Sequence, residues 1–119
     1  MAILAQLKDN VVVHRFPLDE RTTRVGRLAE NDICIDSLEV SGHHAEIRRD
    51  GERGYRIEDL GSTNQTFVNE QPVDSAPLRH GDTVRIGWVV FRFLDEQHPD
   101  HRKTAKIRKS WIPGVYYTR

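Results

Sequence analysis

The sequence predicts an all-β domain, either a sandwich or a barrel of short strands. Apolar runs of a few residues recur along the first 95 of its 119 residues, and the segments between them are rich in glycine, asparagine and aspartate. Several runs alternate apolar with polar residues, and none sustains the 3.6-residue period of a helix. Many short strands at close spacing favour packed or closed sheets within a single domain.

The first half of the chain predicts four strands. Residues 4–7 and 11–16 are rich in apolar and β-branched residues and are separated by a turn signal, so they predict a hairpin. A short strand then ends at Gly26. Residues 33–35 form the next strand after a predicted turn at residues 30–32.

The second half continues in the same way. Residues 43–49 alternate, which places Ala45 and Ile47 on one face of a strand. The further predicted strands are residues 55–58, 66–68 and 83–94, the last interrupted by a hairpin turn at residues 87–88. Pro72 and Pro77 are predicted to mark turns.

Composition limits the possible partners and location. The net charge is zero, which argues against nonspecific nucleic-acid binding. The longest apolar runs, such as residues 88–91, are far too short to cross a membrane. The single cysteine, Cys34, lies between two isoleucines and is predicted to be a small buried side chain. A lone cysteine also fits a cytoplasmic location. The oligomeric state stays open.

Residues 96–119 are predicted to be a separate C-terminal tail. They hold six basic and two acidic residues, a net charge of +4 that opposes the −4 of residues 1–95. The segment around Trp111 is aromatic, so we expect the tail to dock on a sandwich surface, its own or a neighbour's. Thr104 lies in this tail. If it is phosphorylated, it is a candidate ligand for a binding site on a second molecule of this chain.

Three short loops at strand ends carry the candidate chemistry. They contain Gly26 and Arg27, then residues 41–44, then residues 60–64. Together they supply a guanidinium, several hydroxyls, an amide and backbone N–H groups beside glycines. Such donors suit a phosphate dianion, because arginine forms paired, charge-assisted bonds and hydroxyls and amides satisfy the remaining oxygens.

In the order and spacing of these loops the chain resembles the forkhead-associated (FHA) family. The matching segments are residues 25–27, 32–35, 41–47, 59–69 and 78–87, so the resemblance covers about residues 2–95. It implies a two-sheet antiparallel β-sandwich over residues 1–95, with loops at one end that bind a phosphothreonine-containing protein or peptide. It implies no enzyme activity, cofactor or metal.

The resemblance also implies residue roles. Arg27 and Ser41 would contact the phosphate, and Thr63 would add a hydroxyl or backbone contact. Asn64 would bond the ligand backbone beside the phosphothreonine. Glu39, two residues before the loop serine, would influence the third residue after the phosphothreonine.

Two further positions are predicted to be structural. The resemblance implies that His44 braces the loops by hydrogen bonding without touching the ligand. Gly26 is predicted to shape the first loop.

The chain departs from the family pattern at two loop positions. Gly42 stands where the family often has a basic or amide side chain, so only its backbone N–H can bind phosphate. Gln65 replaces the usual glycine after the asparagine. If that turn requires a positive φ, glutamine costs roughly 1–2 kcal/mol of strain.

The same residues allow other interpretations. Arg27, Ser41 and Asn64 are also ordinary surface or turn residues in many proteins. A hydrolase triad of Ser41, a neighbouring histidine and Asp59 lacks a nucleophile elbow. Adjacent histidines on a strand face opposite sides and cannot chelate one metal together.

The main alternative to phosphopeptide binding is a phosphate-independent interaction module. It would use a sheet face or the C-terminal tail. Dephosphorylation of the partner separates the two.

Overall fold

The computed structural model describes residues 2–51 and 54–95. This part of the chain forms eleven strands and no α-helix. In chain order the strands are β1 (Ala2–Lys8), β2 (Val11–Pro17), β3 (Thr22–Gly26), β4 (Ile33–Cys34), β5 (Ala45–Arg49), β6 (Tyr55–Asp59), β7 (Thr66–Val68), β8 (Gln71–Val73), β9 (Ser75–Leu78), β10 (Thr83–Ile86) and β11 (Val89–Asp95).

The strands build two sheets, which confirms the predicted sandwich. One sheet has the order β2-β1-β11-β10-β7-β8, and the other has the order β4-β3-β5-β6-β9. All described pairs are antiparallel except β3 with β4, a two-residue parallel contact in which Val25 faces Ile33. This exception arises because the chain after Gly26 loops back and returns beside β3 in the same direction.

The core lies between the sheets and follows the alternation of the sequence. Phe91 and Phe93 of β11 are buried while Arg92 between them is exposed. Ala45 and Ile47 of β5 enter the same core from the other sheet, as the alternation predicts. The inward-facing side chains of both sheets therefore form one continuous apolar layer that excludes water. The loops at the strand ends lie outside this layer, at the surface.

The first hairpin shows how local sequence sets the register. Asp9 and Asn10 have φ values of 55° and 67°, the left-handed conformation that two-residue hairpin turns require. Asparagine and aspartate tolerate this conformation better than most residues. The predicted pairing of β1 with β2 is confirmed, with a bulge between Gln6 and Leu7.

The prediction that Cys34 is buried is wrong. The side chain is exposed, and its Sγ donates to the carbonyl oxygen of Arg27 at 3.2 Å. Ile33 and Ile35 are both buried, so the residue between them must point outward on an extended chain. The apolar neighbours indicated a buried run where the pattern was in fact alternation.

The predicted turns at Pro72 and Pro77 are also wrong, because both residues lie inside strands. Pro72 is in β8 and Pro77 is in β9. Each of these strands is the last in its sheet. An edge strand tolerates proline because the missing N–H faces away from the ladder.

The tail predictions fall outside the described residues. Residues 96–119, including Thr104 and Trp111, belong to this segment, so the docked tail and the domain boundary stay predictions. Within the described ranges, no helix is long and apolar enough to cross a membrane.

Candidate functional site

The fold brings the three predicted loops together at one end of the sandwich. The N–H of Arg27 donates to the carbonyl oxygen of Ser41 at 3.0 Å. The N–H of Thr63, 22 residues further along the chain, donates to the Ser41 hydroxyl oxygen at 3.0 Å. Ser41 therefore joins the first loop to the third. The hydroxyl hydrogen of Ser41 remains available to a ligand. Because the N–H of Thr63 is already bonded to Ser41, Thr63 can contact a ligand only through its hydroxyl.

His44 is fully buried beneath these loops. Its Nδ1 accepts the N–H of Ser41 at 3.1 Å, and its Nε2 lies 2.9 Å from the carbonyl oxygen of Gln65. Because Nδ1 acts as an acceptor, the imidazole is neutral and Nε2 carries the proton that binds Gln65. One side chain thus ties the Ser41 loop to the loop that carries Asn64.

The first loop depends on close backbone approach at Gly26. A Cβ there would collide with the carbonyl oxygen of Gly42 and lie 2.7 Å from the amide nitrogen of Asn31. That amide donates to the carbonyl oxygens of Leu28 and Gly42, both at 2.8 Å. Asn31 is buried, so its side chain acts as an internal bridge between the first two loops.

Gly42 lies against Leu28. A Cβ at Gly42 would lie 3.1 Å from Cδ1 of Leu28 and 3.2 Å from its Cγ. Leu28 thus occupies the space that a side chain at position 42 would need. The N–H of Gly42 donates to no described residue, which leaves it available to an anion.

Asp59 caps the start of the third loop. It accepts the N–H groups of Gly61 and Ser62 at 3.0 and 2.9 Å, and the hydroxyl of Thr66 at 2.7 Å. The Ser62 hydroxyl also donates to it. The spacing from Asp59 to Ser62 is typical of such a capped turn.

The pKa of Asp59 is set by two opposing effects. Partial burial on its own raises the pKa, but hydrogen bonds from Ser62 and Thr66 outweigh it and hold the pKa below its ordinary value of 3.8. An electrostatic interaction with His44 lowers the pKa further but contributes less than the hydrogen bonds. The loop is therefore most firmly capped when Asp59 is ionised.

Asn64 links the third loop to the segment before Ser41. Its Nδ2 donates to the carbonyl oxygen of Glu39 at 2.9 Å and lies 3.4 Å from the Glu39 carboxylate. Both residues are exposed. Because this bond uses the amide nitrogen of Asn64, the amide oxygen remains free and can accept a backbone N–H from a bound peptide.

The guanidinium of Arg27 is a charged group on these loops that lacks a counterion. It forms no ion pair with any described residue, although the nearby Glu30 is paired with His43 at 3.1 Å. Arg27 is half-buried beside Ser41. A guanidinium on the same loop cluster as free hydroxyl and backbone N–H donors suits an oxyanion.

The contacts do not assemble the triad considered from the sequence. His44 bonds the backbone N–H of Ser41 rather than its hydroxyl, and Asp59 is bonded to its own loop. His43 is exposed while His44 is buried, so the two face different environments. No cluster of three or more potential metal ligands occurs within residues 2–51 and 54–95.

The sequence interpretation missed three contributors to the site. Asn31 was assigned only to a turn, and Asp59 was considered only in a hydrolase triad and in a segment that matches the family, although both hold loops by side-chain hydrogen bonds. The spacing between Asp59 and Ser62 is a sequence signal from which the role of Asp59 could have been predicted. Leu28 carries no signal in sequence, because its contact with Gly42 depends on how the loops fold.

Comparison with known proteins agrees with this geometry. A family model described as FHA domain matches residues 23–87. The chain is 44% identical over 81 residues to an oxoglutarate dehydrogenase inhibitor of Corynebacterium jeikeium, covering 68% of this chain and 56% of that protein. It is 49% identical over 80 residues to the glycogen accumulation regulator GarA of Mycolicibacterium smegmatis, covering 67% and 50%. The chain thus spans about half the length of these relatives.

The fold is also found among solved structures. Mycobacterium tuberculosis EmbR in complex with a low-affinity phosphopeptide superposes with a TM-score of 0.72 at 37% identity. The match covers 78% of this chain and 24% of that one.

The strain at Gln65 generates a stability prediction. Gln65 has a φ of 68°, where a side chain is disfavoured. We expect Gln65→Gly to raise the free energy of unfolding by about 1 kcal/mol. Gln65→Ala keeps the Cβ and serves as the control, with little change expected. Urea denaturation of the three proteins measures this, and a Gly variant no more stable than the Ala variant would contradict it.

The cap at Asp59 generates a pH prediction. Because the folded-state pKa lies below the unfolded value, ionised Asp59 stabilises the protein above about pH 4, and this stabilisation is lost as pH falls through the folded pKa. Asp59→Asn should be less stable at neutral pH, and its deficit should shrink below pH 4. Urea unfolding of both proteins between pH 3 and pH 7 tests this. A deficit that is constant with pH would refute the role of the charge.

Proposed function

This chain belongs to the FHA domain family, and on that premise we propose that it is a non-catalytic module that binds a phosphothreonine-containing segment of another protein. One observation carries the proposal. The guanidinium of Arg27 has no described carboxylate partner, and the backbone N–H of Arg27 binds the carbonyl oxygen of Ser41, whose hydroxyl hydrogen is free. A cation with no counterion, on loops that also offer free hydroxyl and N–H donors, attracts an anion.

The phosphate would be held by groups from all three loops. Arg27 supplies charge and paired donors, while Ser41 and Thr63 supply hydroxyls. The backbone N–H of Gly42 supplies the remaining donor, in place of a side chain. Each charge-assisted bond contributes roughly 1.5–3 kcal/mol, and ordering a flexible peptide offsets part of the sum.

The backbone of the ligand would be fixed by Asn64. Its Nδ2 is already directed at Glu39, so its amide oxygen would accept an N–H of the ligand next to the phosphothreonine. A contact to backbone rather than to a side chain sets register without choosing sequence. The preference for particular ligand sequences then depends on exposed residues around the loops, such as Glu39.

The relatives support a regulatory role. One is named as an inhibitor of oxoglutarate dehydrogenase and another as a regulator of glycogen accumulation, and a similar structure holds a phosphopeptide. We infer a regulator or adaptor that acts by binding, with no cofactor. The exposed thiol of Cys34 favours a reducing compartment such as the cytoplasm.

Removal of the Arg27 guanidinium tests the proposed function. We expect the protein to bind suitable phosphothreonine peptides with micromolar affinity, about −8 kcal/mol, and not to bind their threonine counterparts. Arg27→Ala should abolish binding without lowering the unfolding temperature. Arg24→Ala removes an exposed arginine three residues away and should leave affinity unchanged. Calorimetry on all three proteins provides the comparison.

Two outcomes would contradict the assignment. Equal affinity for phosphorylated and unphosphorylated peptides would point to the phosphate-independent alternative. Unchanged affinity in Arg27→Ala would remove the residue on which the proposal depends.

The carboxylate of Glu39 generates a second prediction. It is exposed and close to Asn64, so it should disfavour aspartate and glutamate at the third residue after the phosphothreonine. The penalty should be about fivefold or less, because exposed charges are screened. Glu39→Gln should remove the discrimination without changing phosphate dependence. A peptide screen that selects acidic residues at that position would show the idea to be wrong.

A further inference from the structure

The two outer faces of the sandwich differ in polarity. On the sheet that contains β5 the outward side chains are charged, and Arg48 pairs with Glu46 at 3.3 Å and with Glu58 at 3.7 Å. The outer face of β1, β2 and β11 is instead aliphatic. This aliphatic face contains Ile3, Leu7, Val12, Val90 and Leu94. Antiparallel sheets that cover a core on one side commonly present polar side chains on the other, so this face is an exception.

The strand register makes these five side chains neighbours. Leu7 lies opposite Val90 on one side and opposite Val12 on the other. Further along β1, Ile3 lies opposite Leu94. All five side chains are partly buried, yet none belongs to the core cluster between the sheets. Four residue steps along β1 and two strand spacings across the sheet give a patch about 13 Å long and about 10 Å wide.

The sequence of β1 is typical of a strand that is covered on both sides. It reads Ala-Ile-Leu-Ala-Gln-Leu-Lys, in which only two residues are polar. Strand β5 of the other sheet begins Ala-Glu-Ile-Arg and alternates. Alternation marks a strand with one solvated face, whereas a nearly continuous apolar run marks a strand with both faces buried. The pattern of β1 therefore indicates that a further segment covers the aliphatic face.

Arg15 and Arg92 lie in the middle of the aliphatic face. They are opposite Ala5 from its two sides, and Ala5 is fully buried although it is outside the core cluster, so longer neighbours shield it. Neither arginine pairs with a carboxylate within the described ranges. Guanidinium groups stack on aromatic rings. The same face already holds such a pair, since Cζ of Arg85 lies 4.1 Å from the centroid of the Phe67 ring. The face therefore suits an occupant with aliphatic and aromatic side chains.

The chain itself continues from the edge of this face. Leu94 immediately precedes Asp95, the last described residue, so residues 96–119 start beside the patch. Residues 111–117 read Trp-Ile-Pro-Gly-Val-Tyr-Tyr, with three aromatic side chains, two β-branched aliphatic side chains and no charge. The connection from Asp95 to Trp111 can span up to about 50 Å, several times the length of the patch. These residues can therefore fold back onto the face from which the chain departs.

Charge at the point of departure favours the same arrangement. Ile3 lies opposite Pro17 at this end of the sheet, so the segment that follows β2 is close to the start of residues 96–119. Asp19 and Glu20 in that segment are exposed. Residues 102–109 hold five basic residues and no acidic residue. Attraction between these opposite charges would hold the basic stretch near the end of the sheet and leave the uncharged residues to the face.

We propose that residues 111–117 of the same chain cover the aliphatic face, with their aromatic rings against Arg15 and Arg92. The covered face would complete a second apolar layer on the outside of β1 and β11. Phosphopeptide binding plays no part in this assignment, which stands or falls independently of the proposed function.

The cover would leave the binding loops open. Strand β11 starts after Gly87, where a Cβ would lie 3.4 Å from Cβ of Glu39, and Glu39 accepts a hydrogen bond from Asn64. The strand then runs away from the loops to Asp95. Residues that fold back along the outside of the sheet therefore do not need to cross the loop end.

A nitroxide label beside Trp111 tests where the segment lies. The chain has one cysteine, so Cys34→Ser combined with Ser110→Cys places the label at a single site of the full chain. The label should broaden the amide signals of β1, β2 and β11 most strongly. The outward positions of β5 and β6 provide the internal comparison and should be affected least. Strongest broadening at the Ser41 loop or at β5, or no broadening in the folded domain, would overturn the proposal.

A mixed sample distinguishes the chain's own face from that of a neighbour. It contains spin-labelled chain without isotope label and isotope-labelled chain without the nitroxide. Broadening of β1 and β11 should be absent from this mixture at the same total concentration. Broadening as strong as in the doubly labelled chain would show that the segment docks between molecules and would overturn the intramolecular assignment.

Tryptophan emission gives a second readout. The chain has two tryptophans, so Trp88→Phe leaves Trp111 as the reporter. In this background Leu94→Asn should shift the emission of Trp111 to longer wavelength, because the indole returns to water. Val90→Thr preserves side-chain shape and should produce a smaller shift in the same direction, which guards against a folding defect in the first variant.

Leu38→Asn is the matched control. It makes the same change at a leucine that is 88% exposed on the loop end, away from the aliphatic face. The emission of Trp111 should not move in this variant. Equal shifts in Leu94→Asn and Leu38→Asn, or no shift in folded Leu94→Asn and Val90→Thr, would show that residues 111–117 do not cover this face.

Discussion

The arrangement of the three loops at the end of this domain depends on one buried imidazole. His44 accepts a hydrogen bond from the backbone of Ser41 and donates one to the backbone of Gln65, with no part of it exposed to water. Both partners are main-chain groups, so the contact fixes where the loops lie. A buried neutral ring can hold two loops at low cost because each of its nitrogens is satisfied.

The other loop contacts follow from that anchor. With Ser41 and Gln65 fixed, the N–H of Thr63 meets the Ser41 hydroxyl and the amide of Asn64 meets Glu39. These bonds do not involve the guanidinium of Arg27, which has no ion-pair partner among the described residues. Loops held together before a ligand arrives lose little freedom on binding, which leaves more of the interaction energy for affinity.

Much of the fold was predictable because it follows from alternation and turn chemistry. The hairpin at Asp9 and Asn10 and the inward positions of β5 and β11 are local features. Cys34 was mispredicted because a three-residue apolar run does not reveal which residue faces outward. Pro72 and Pro77 were mispredicted because proline excludes a central strand but not an edge strand, and position in a sheet is not written in local sequence.

For the site, the sequence predicted which residues to examine but not how they connect. The bond from Asn64 to Glu39 spans 25 residues, and the bridge from Asn31 to Gly42 spans 11. No periodicity carries such pairings, which depend on the completed sandwich. The strained φ of Gln65 was anticipated only as a condition of the turn, and the backbone of the folded loop shows that the turn does require it.

The account depends most directly on the protonation state of His44. Long-range nitrogen–proton correlation spectra of the imidazole distinguish the two neutral tautomers from the cation. We expect a neutral ring with its proton on Nε2 in the free protein, unchanged when a phosphothreonine peptide is added. A ring protonated on Nδ1, or on both nitrogens, could not accept the N–H of Ser41 and would contradict the proposal that this residue preforms the site.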